Sequence, residues 1–387
     1  MKKKIAILGS TGSIGRTLLK IIQKDKKNFE IKLLTANKNY KLLLSQAKNF
    51  KVKNIIITDF NCYLKLKKLN KNKNINIYKN FNNLDKILNK KIDYTMSSIV
   101  GLDGLLPTIK IIKFTKSIAV ANKEAIICGW NLIKNELIKN KTTFLPVDSE
   151  HYSIWEILNL KYFTEVEKIY ITASGGPFLK TKYNEIKKVK IHQALKHPNW
   201  KMGKKISIDS ATMMNKVFEV IETKNIFNIP YKRISILVHP ISYVHAMIKF
   251  KNGIIKILAH ETSMRIPIFN TLYHKMNQKI NSQIIDIKKL NNLELETINK
   301  KKFPMIEILN LLPLNSSLFE TILVVSNDFF VNLFLNKKIK FYQIPILLLK
   351  FLKIKEFQKY KSIKPKKIQD IIELSNYVRL KLKSLSI

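Results

Sequence analysis

The chain has 387 residues, more than one compact core usually holds, so two or three domains are expected. Hydrophobic residues make up 46% of it, which excludes a disordered chain. Polar residues interrupt its apolar stretches, which argues against a membrane-spanning helix, so a membrane is not expected as a partner. The net charge of +43 suggests a nucleic-acid-binding function. However, only four of the 70 basic residues are arginines, and the lysines are spread along the whole chain. Codon usage rich in A and T therefore explains the charge more simply.

Short apolar runs alternate with helical patterns over about the first 150 residues, which is typical of a parallel α/β sheet. The predicted strands are 5–8, 31–34, 55–58, 94–97, 118–121 and 143–147. We predict an α/β fold in three parts. They are an N-terminal dinucleotide-binding, Rossmann-like parallel sheet (1–148), a central α/β catalytic domain (149–275) and a C-terminal helical domain (303–387), with residues 276–302 as a linker.

A glycine-rich turn follows the first predicted strand. Gly9, Gly12 and Gly15 are spaced by three and precede a helical run, so the backbone can turn tightly and approach a pyrophosphate at the helix N-terminus. The second strand ends without the carboxylate that commonly binds the ribose of NAD, and Lys38 stands there instead. This pattern favours NADP as the cofactor.

Two segments carry closely spaced carboxylates in apolar surroundings. Asp148 and Glu150 follow a strand and are expected on one side of an extended chain. In the other segment Ser210 is expected to cap a helix beginning at Ala211, on which Glu219 lies one turn after Asn215. Converging carboxylates favour Mg²⁺ or Mn²⁺, but the spacing alone fits salt-bridged acids equally well.

Two further segments separate these acids. Ser174 with the glycines that follow it suits a backbone nest for an anion. Residues 196–204 suggest a mobile flap that closes over a ligand, with His197, Trp200 and Met202 around a proline. The alternative for Trp200 is an anchor that fixes a surface loop to the core.

Taken together, these segments resemble the 1-deoxy-D-xylulose 5-phosphate reductoisomerase family. The resemblance runs in order and spacing from residue 5 to about residue 270, through residues 9–15, 121–124, 146–151, 174–178, 197–203, 207–219 and 238–240. It implies a metal-assisted rearrangement of 1-deoxy-D-xylulose 5-phosphate, followed by reduction with NADPH to 2-C-methyl-D-erythritol 4-phosphate, a step toward isoprenoid precursors. It also implies a homodimer.

The resemblance implies a role for each matching residue. Asp148, Glu150 and Glu219 would hold Mg²⁺ or Mn²⁺ and, with Lys123 and His151, form the catalytic set. The substrate would be bound by Lys123, Ser149, Glu150, Ser174, His197, Trp200, Ser210, Asn215, Lys216 and Glu219. NADPH would contact Thr11, Gly12, Ser13, Ile14, Asn37, Lys38, Asn39, Asn122, Glu124 and Gly203.

The chain also departs from the family pattern. Asn37 stands where glycine is usual and Ile241 where glutamine is common, and the C-terminal third is expected to match poorly, since residues 325–328 are only loosely similar to the family's Ala-Asn-Glu segment. A semialdehyde-type dehydrogenase is the alternative enzyme, but it needs a nucleophilic cysteine. Cys62 and Cys128 lie in apolar contexts and fit a reducing cytoplasm.

Overall fold

The computed structural model describes residues 2–70, 74–158, 165–200 and 202–384. Their contacts divide the chain into two compact units. The first consists of Met1–Ala125, Asn131–Asp148 and Met264–Asn281, and the second of Ile126–Trp130, Ser149–Ser263 and Ser282–Ile387. The three-part domain organisation, with its boundaries at 148, 275 and 302, stays a prediction.

A sheet forms the core of the first unit. Its strands are β1 (Lys3–Leu8), β2 (Phe29–Ala36), β3 (Asn54–Ile57), β4 (Asn76–Tyr78), β5 (Ile92–Ser97), β6 (Thr115–Val120) and β7 (Thr143–Pro146). Over the described residues the sheet has seven strands in the order β4-β3-β2-β1-β5-β6-β7, and all neighbours are parallel. The predicted parallel sheet is therefore confirmed. The exception is β4, which the sequence did not predict because it is a short edge strand without an apolar run.

Helices cover this sheet. They are α1 (Ser13–Lys24), α2 (Tyr40–Asn49), α3 (Phe60–Leu69), α4 (Leu84–Ile87), α5 (Leu105–Ile112) and α6 (Lys123–Lys139). The strand order reverses direction at β1, and in open parallel sheets ligands bind beyond the carboxyl ends of the strands at such a point. The glycine turn follows β1 there. A later segment also joins this unit, since the Tyr273 hydroxyl donates to Asp25 Oδ2 at 2.8 Å.

The second unit contains a mixed sheet. Its strands are β8 (Val166–Ala173), β9 (Ile234–Val238), β10 (Val244–Phe250), β11 (Ile255–Ala259) and β12 (Glu296–Thr297). Among the described residues the order is β11-β10-β8-β9-β12, with β8 and β9 parallel and the other pairs antiparallel. The short strand β12 comes from residues 276–302, so part of the predicted linker pairs with the sheet.

Helices make up most of the remaining described chain. They are α7 (Ser149–Leu158), α8 (Tyr183–Ile186), α9 (Ile191–Ala194), α10 (Lys204–Ala211), α11 (Met214–Phe227), α12 (Arg265–Leu272, in the first unit), α13 (Ile287–Asn291), α14 (Phe319–Leu335), α15 (Gln343–Leu352), α16 (Lys355–Gln358) and α17 (Ile368–Lys383). One of the apolar stretches that polar residues interrupt forms α14, which is largely buried. Among the described helices, not one is both long and apolar enough to cross a membrane.

A carboxyl group lies in the core of the second unit. Glu320, on α14, is fully buried, and its Oε2 accepts hydrogen bonds from the Ser317 amide (3.1 Å) and hydroxyl (2.7 Å). Among the described atoms Glu320 Oε1 has no hydrogen-bond partner. Burial raises the pKa of Glu320 to about 7, partly offset by the Ser317 hydroxyl and by Lys224. Near neutral pH the fold therefore carries the cost of ionising a buried acid.

This buried acid predicts a pH-dependent stability. The folded pKa of about 7 lies above that of an unfolded glutamate, roughly 4.3, so the folded chain binds the extra proton between these values. The resulting stabilisation is complete below about pH 4.3 and is lost as the pH rises through about 7. Glu320→Gln cannot ionise, and relative to the parent its free energy of unfolding should rise by about 1–3 kcal/mol between about pH 5 and about pH 8.

Urea unfolding of both proteins across this range measures the difference. Glu373→Gln, an exposed position on α17, is the matched control and should leave the pH dependence unchanged. A constant difference between parent and Glu320→Gln across the range would contradict the prediction.

Candidate functional site

The glycine turn adopts the geometry that its spacing predicted. Gly9 has a φ of +85°, and a Cβ there would lie 2.8 Å from the Ser98 carbonyl oxygen. A Cβ on Gly15 would lie 2.5 Å from the Gly9 carbonyl oxygen, so α1 can approach the turn because residue 15 has no side chain. Gly12 is the N-cap of α1, and the first amides of this helix remain available for an anion.

The predicted cofactor residues after β2 are exposed. Asn37 donates to the Thr58 hydroxyl at 2.8 Å, and the Asn39 side chain caps α2 by accepting from the Leu42 amide at 3.3 Å. A hydrogen bond from the backbone amide of Cys62 lowers the pKa of Asp59, and the positive charge of Lys38 lowers it further. Lys38 therefore projects from a loop that its neighbours fix at both sides.

Asn122 joins two loops at the start of α6. Its Oδ1 accepts from the Ala125 amide at 2.6 Å, and its Nδ2 donates to the Gly101 carbonyl at 2.8 Å. The next residue, Lys123, forms an ion pair with Asp148, while Glu124 is buried. All the predicted cofactor residues lie in the first unit except Gly203, which lies in the second.

The acid segment that follows β7 does not run extended as the sequence analysis expected. The strand ends at Pro146, Asp148 ends the segment Asn131–Asp148 of the first unit, and α7 begins at Ser149. Glu150 therefore lies in the first turn of a helix, where the Ser149 hydroxyl donates to its Oε2 at 2.6 Å. The expectation was wrong because α7 starts directly behind the strand and replaces the alternation of an extended chain.

Two glutamates come together inside the second unit. Glu150 and Glu219 are 8% and 1% exposed, and each offers a carboxylate oxygen within 4.8 Å of the other. The Lys216 ammonium forms ion pairs with both. Burial acts to lower the pKa of Lys216, but the two carboxylates outweigh it and the pKa is raised. Because like charges this close repel, the pair requires a cation.

The surrounding groups fix Glu219 in place. Asn215 Nδ2 donates to Glu219 Oε1 at 2.5 Å, which confirms that these residues share one face of a helix. His151 Nε2 lies 3.0 Å from the Glu219 carbonyl oxygen and 3.1 Å from the Thr223 hydroxyl. One turn further, Glu222 is also buried and offers an oxygen within 4.8 Å of a ring nitrogen of His151. The sequence analysis missed Glu222, although its spacing of three from Glu219 was a usable signal.

The helix around Ser210 differs from the expected one. Ser210 lies in the last turn of α10, so it does not cap a helix beginning at Ala211. Met213 has a φ of +66° and separates α10 from α11, which begins at Met214. The prediction was wrong because the left-handed residue that breaks the helix is a methionine, which gives no turn signal. Asn215 and Lys216 consequently lie in the first turn of α11, at the positive end of the helix dipole, which favours an anion.

Ser174 and His197 form a hydrogen-bonded pair. His197 Nδ1 accepts from the Asn199 and Trp200 amides at 3.1 and 3.0 Å, so the proton of the neutral ring resides on Nε2. Nε2 lies 3.1 Å from the Ser174 hydroxyl, which also accepts from the Gly176 amide at 3.1 Å. Burial, with a contribution from Lys216, lowers the pKa of His197 to about 4, so the ring is neutral at physiological pH.

The predicted flap lines an open cavity of about 400 Å³. Its lining residues are Leu195, Lys196, His197, Pro198, Asn199, Trp200 and Met202. Asn199 ties the segment to a neighbouring loop by donating to the Pro240 carbonyl (2.7 Å) and the Ser242 hydroxyl (2.9 Å). Trp200 meets the His245 ring edge to face, at a centroid distance of 6.4 Å. His245 stacks on His260 at 3.8 Å, and the sequence carried no signal for this contact.

Models of this family match three parts of the chain. "1-deoxy-D-xylulose 5-phosphate reductoisomerase" matches residues 5–129, its "C-terminal domain" matches residues 144–227, and "DXP reductoisomerase C-terminal domain" matches residues 260–381. The last match shows that the expected poor fit of the C-terminal third was wrong. The low glycine content and high lysine content of that region obscured the similarity.

Curated relatives and solved structures carry the same name. The chain is 58% identical to the 1-deoxy-D-xylulose 5-phosphate reductoisomerase of Pelagibacter ubique over all 387 residues, covering 100% of both chains. It is 40% identical to that of Clostridium tetani, over 89% of this chain and 90% of the relative. The Zymomonas mobilis enzyme in complex with NADPH superposes with a TM-score of 0.88 at 32% identity, over 100% of both chains.

A further solved reductoisomerase, in complex with NADPH, fosmidomycin and magnesium, superposes with a TM-score of 0.90 at 28% identity, over 99% of this chain and 98% of the other. The parallel sheet with its glycine turn and the paired buried glutamates define a dinucleotide-binding oxidoreductase with a carboxylate site. Within that class, the chain belongs to the 1-deoxy-D-xylulose 5-phosphate reductoisomerase family.

Proposed function

We propose that this chain converts 1-deoxy-D-xylulose 5-phosphate into 2-C-methyl-D-erythritol 4-phosphate with NADPH and a divalent metal ion. The observation that carries the proposal is the pair of buried glutamates, Glu150 and Glu219, closed by the Lys216 ammonium. Two carboxylates in a dry environment form a hard oxygen site, which fits Mg²⁺ or Mn²⁺. Asp148, one residue before Ser149 in the chain, is proposed as the third ligand.

The metal, when bound, polarises the substrate ketone and stabilises the negative charge that develops on its oxygen. The chain's own residues orient the ligands for this chemistry. Asn215 and Ser149 donate to Glu219 and Glu150, respectively, and leave the remaining carboxylate oxygens directed at a cation. His151 holds the backbone of Glu219 from the other side. Lys123, paired with Asp148, is proposed to contact the substrate.

Ser174, His197, Ser210, Asn215 and Lys216 are proposed to bind the substrate. The Ser174 hydroxyl oxygen accepts from two N–H groups, so its own proton is available to a substrate oxygen. His197 is hydrogen-bonded to Ser174 from the flap segment. Ser210 lies at the end of α10, and Asn215 and Lys216 lie in the first turn of α11, where a phosphate finds the positive end of a helix dipole and an ammonium. The Trp200 flap is proposed to cover the substrate and exclude water.

NADPH, which supplies the hydride, is proposed to bind at the glycine turn of the first unit. The pyrophosphate would lie against Thr11 and Gly12 of the turn and the amides of Ser13 and Ile14, the first residues of α1. Asn37, Lys38 and Asn39 would surround the ribose and its 2′-phosphate, with Asn122, Glu124 and Gly203 as further contacts.

The semialdehyde-dehydrogenase alternative is disfavoured by both cysteines. Burial, with Asp59, raises the pKa of Cys62, which reduces the thiolate that a nucleophile needs. Cys128 is buried, and its thiol lies 3.8 Å from the Glu320 carbonyl oxygen. Two free thiols also support the proposed cytoplasmic location.

Metal dependence tests the proposal directly. The purified chain should oxidise NADPH in the presence of 1-deoxy-D-xylulose 5-phosphate when Mg²⁺ or Mn²⁺ is present. EDTA should abolish turnover and added Mn²⁺ should restore it, because the carboxylates cannot polarise the ketone themselves. Full turnover in metal-free buffer would falsify the metal assignment.

Lys216→Met sharpens this test, because the ammonium and the metal compete for the same two glutamates. The variant should bind Mn²⁺ about tenfold more tightly, as measured by electron paramagnetic resonance, while its KM for the substrate rises. Lys249→Met removes an exposed ion pair with Glu167 and should change neither quantity. Weaker Mn²⁺ binding in Lys216→Met would show that the lysine does not compete for the site.

Cofactor choice is the second test, and it rests on Lys38. NADPH should exceed NADH by at least about tenfold in kcat/KM, and Lys38→Ala should remove most of this preference by lowering activity with NADPH alone. Lys53→Ala, another exposed lysine of the first unit, is the control. Equal losses with both cofactors would show that Lys38 does not recognise the 2′-phosphate.

A homodimer is proposed because the second sheet ends in an apolar edge strand. Ile254, Ile255 and Ile257 are 52%, 57% and 50% exposed, and β11 lies at one end of the strand order. An exposed apolar edge invites pairing with another chain, and a second copy offers the same edge. In sedimentation the parent should be dimeric and Ile257→Lys monomeric, whereas Leu380→Lys, on α17, should stay dimeric. A monomeric parent at micromolar concentration would contradict this proposal.

A further inference from the structure

Helix α14 contacts the segment that contains Ser210. Asn327, on α14, donates from Nδ2 to Asp209 Oδ1 at 2.8 Å, across 118 positions of sequence. Both side chains are buried, with Asn327 0% and Asp209 2% exposed. The carboxylate immediately before Ser210 is therefore held by a residue of the C-terminal helical region.

Lys205 engages the other oxygen of the same carboxylate. Its ammonium lies 2.9 Å from Asp209 Oδ2 and 3.1 Å from Asp328 Oδ1, and it lies over the Phe218 ring at 5.0 Å. Asp209 is thus fixed at both oxygens, by one group from α14 and one from its own helix. The lysine in turn joins α10 to α11 and α14.

The polarity of Asn327 is costly for packing. In the described structure its Oδ1 has no hydrogen-bond partner, and a buried unsatisfied acceptor destabilises a fold. A leucine, which branches at the same carbon, has no polar atom and would avoid that cost. The donor therefore serves Asp209, whose buried charge would otherwise lose one of its two partners.

Asp209 transmits its position directly to the proposed phosphate site. Ser210 is its neighbour on the last turn of α10, and Gly176 packs against the Ser210 backbone from the other side, where a Cβ would lie 3.1 Å from the Ser210 carbonyl oxygen. After the left-handed Met213 the chain enters α11 with Asn215 and Lys216. A shift of Asp209 would move Ser210 relative to these two residues.

We propose that Asn327 is a positioning residue for phosphate binding: by holding Asp209, it fixes Ser210 against the first turn of α11. The proposal rests on the function assigned above, in which Ser210 contacts the substrate phosphate. Asn327 touches no substrate in this scheme and acts through Asp209. Its removal should weaken recognition of the phosphate and leave the chemistry at the metal unchanged.

Asn327→Leu tests this in the full-length metal-loaded enzyme. The KM for 1-deoxy-D-xylulose 5-phosphate and the Ki of inorganic phosphate as a competitive inhibitor should both rise about tenfold, with kcat within about twofold of the parent. Mn²⁺ affinity should stay unchanged. Ser326→Ala is the matched control, because the Ser326 hydroxyl donates to carbonyls of its own helix and it should alter none of these quantities.

An exchange of the two groups separates positioning from packing. Asn327→Asp should place two carboxylates together and raise both the KM and the phosphate Ki. Adding Asp209→Asn should lower the KM and the Ki again, because it restores a donor and an acceptor. This pair also keeps the test valid if Asn327→Leu fails to fold. Parallel losses of kcat and Mn²⁺ affinity, unchanged constants, or an exchange that restores nothing would each overturn the proposal. A parent enzyme without turnover or phosphate inhibition would instead refute the proposed function.

Discussion

Two buried carboxylates that need a cation organise the second unit. Glu150 lies in the first turn of α7 and Glu219 lies on α11. Their mutual repulsion in a dry environment would separate these helices if Lys216 did not neutralise them. Two hydrogen bonds fix Glu219. Asn215 donates to its carboxylate, and His151 Nε2 contacts its carbonyl oxygen. Because opposite charges hold this site together, a divalent ion at the proposed ligands would stabilise the same arrangement more strongly than a lysine does.

Lysine provides most of the positive charge of this chain, and exposed lysines differ from shielded ones in the ion pairs that they form. Lys249 and Lys32 form exposed pairs of the kind that contribute little to stability. Lys216 and Lys205, in contrast, each join two carboxylates while largely shielded from water. A compositional bias explains how many lysines there are, whereas burial and carboxylate partners identify those that matter.

Local signals in the sequence predicted the parallel sheet, the glycine turn and the acid clusters, because buried strands and tight turns depend on adjacent residues. The errors arose where local patterns were ambiguous. The sequence predicted an extended chain at Asp148 and Glu150, although α7 begins between them. Met213 separates α10 from α11, and a methionine is not a residue type that predicts a helix break. Contacts across long separations, such as Asn327 with Asp209 and His245 with His260, had no local signal at all.

Two contacts from the C-terminal region to α10 differ in how much defined geometry they require. Residues 325–328 differ from the family's usual Ala-Asn-Glu pattern, and in this chain the Asn327 amide donates to Asp209. Asp328 is one methylene shorter than a glutamate, and the long, flexible Lys205 side chain still reaches it at 3.1 Å. A contact made by a flexible lysine tolerates such a change, whereas the hydrogen bond between two short side chains does not. The contact that needs defined geometry is therefore the one expected to resist substitution.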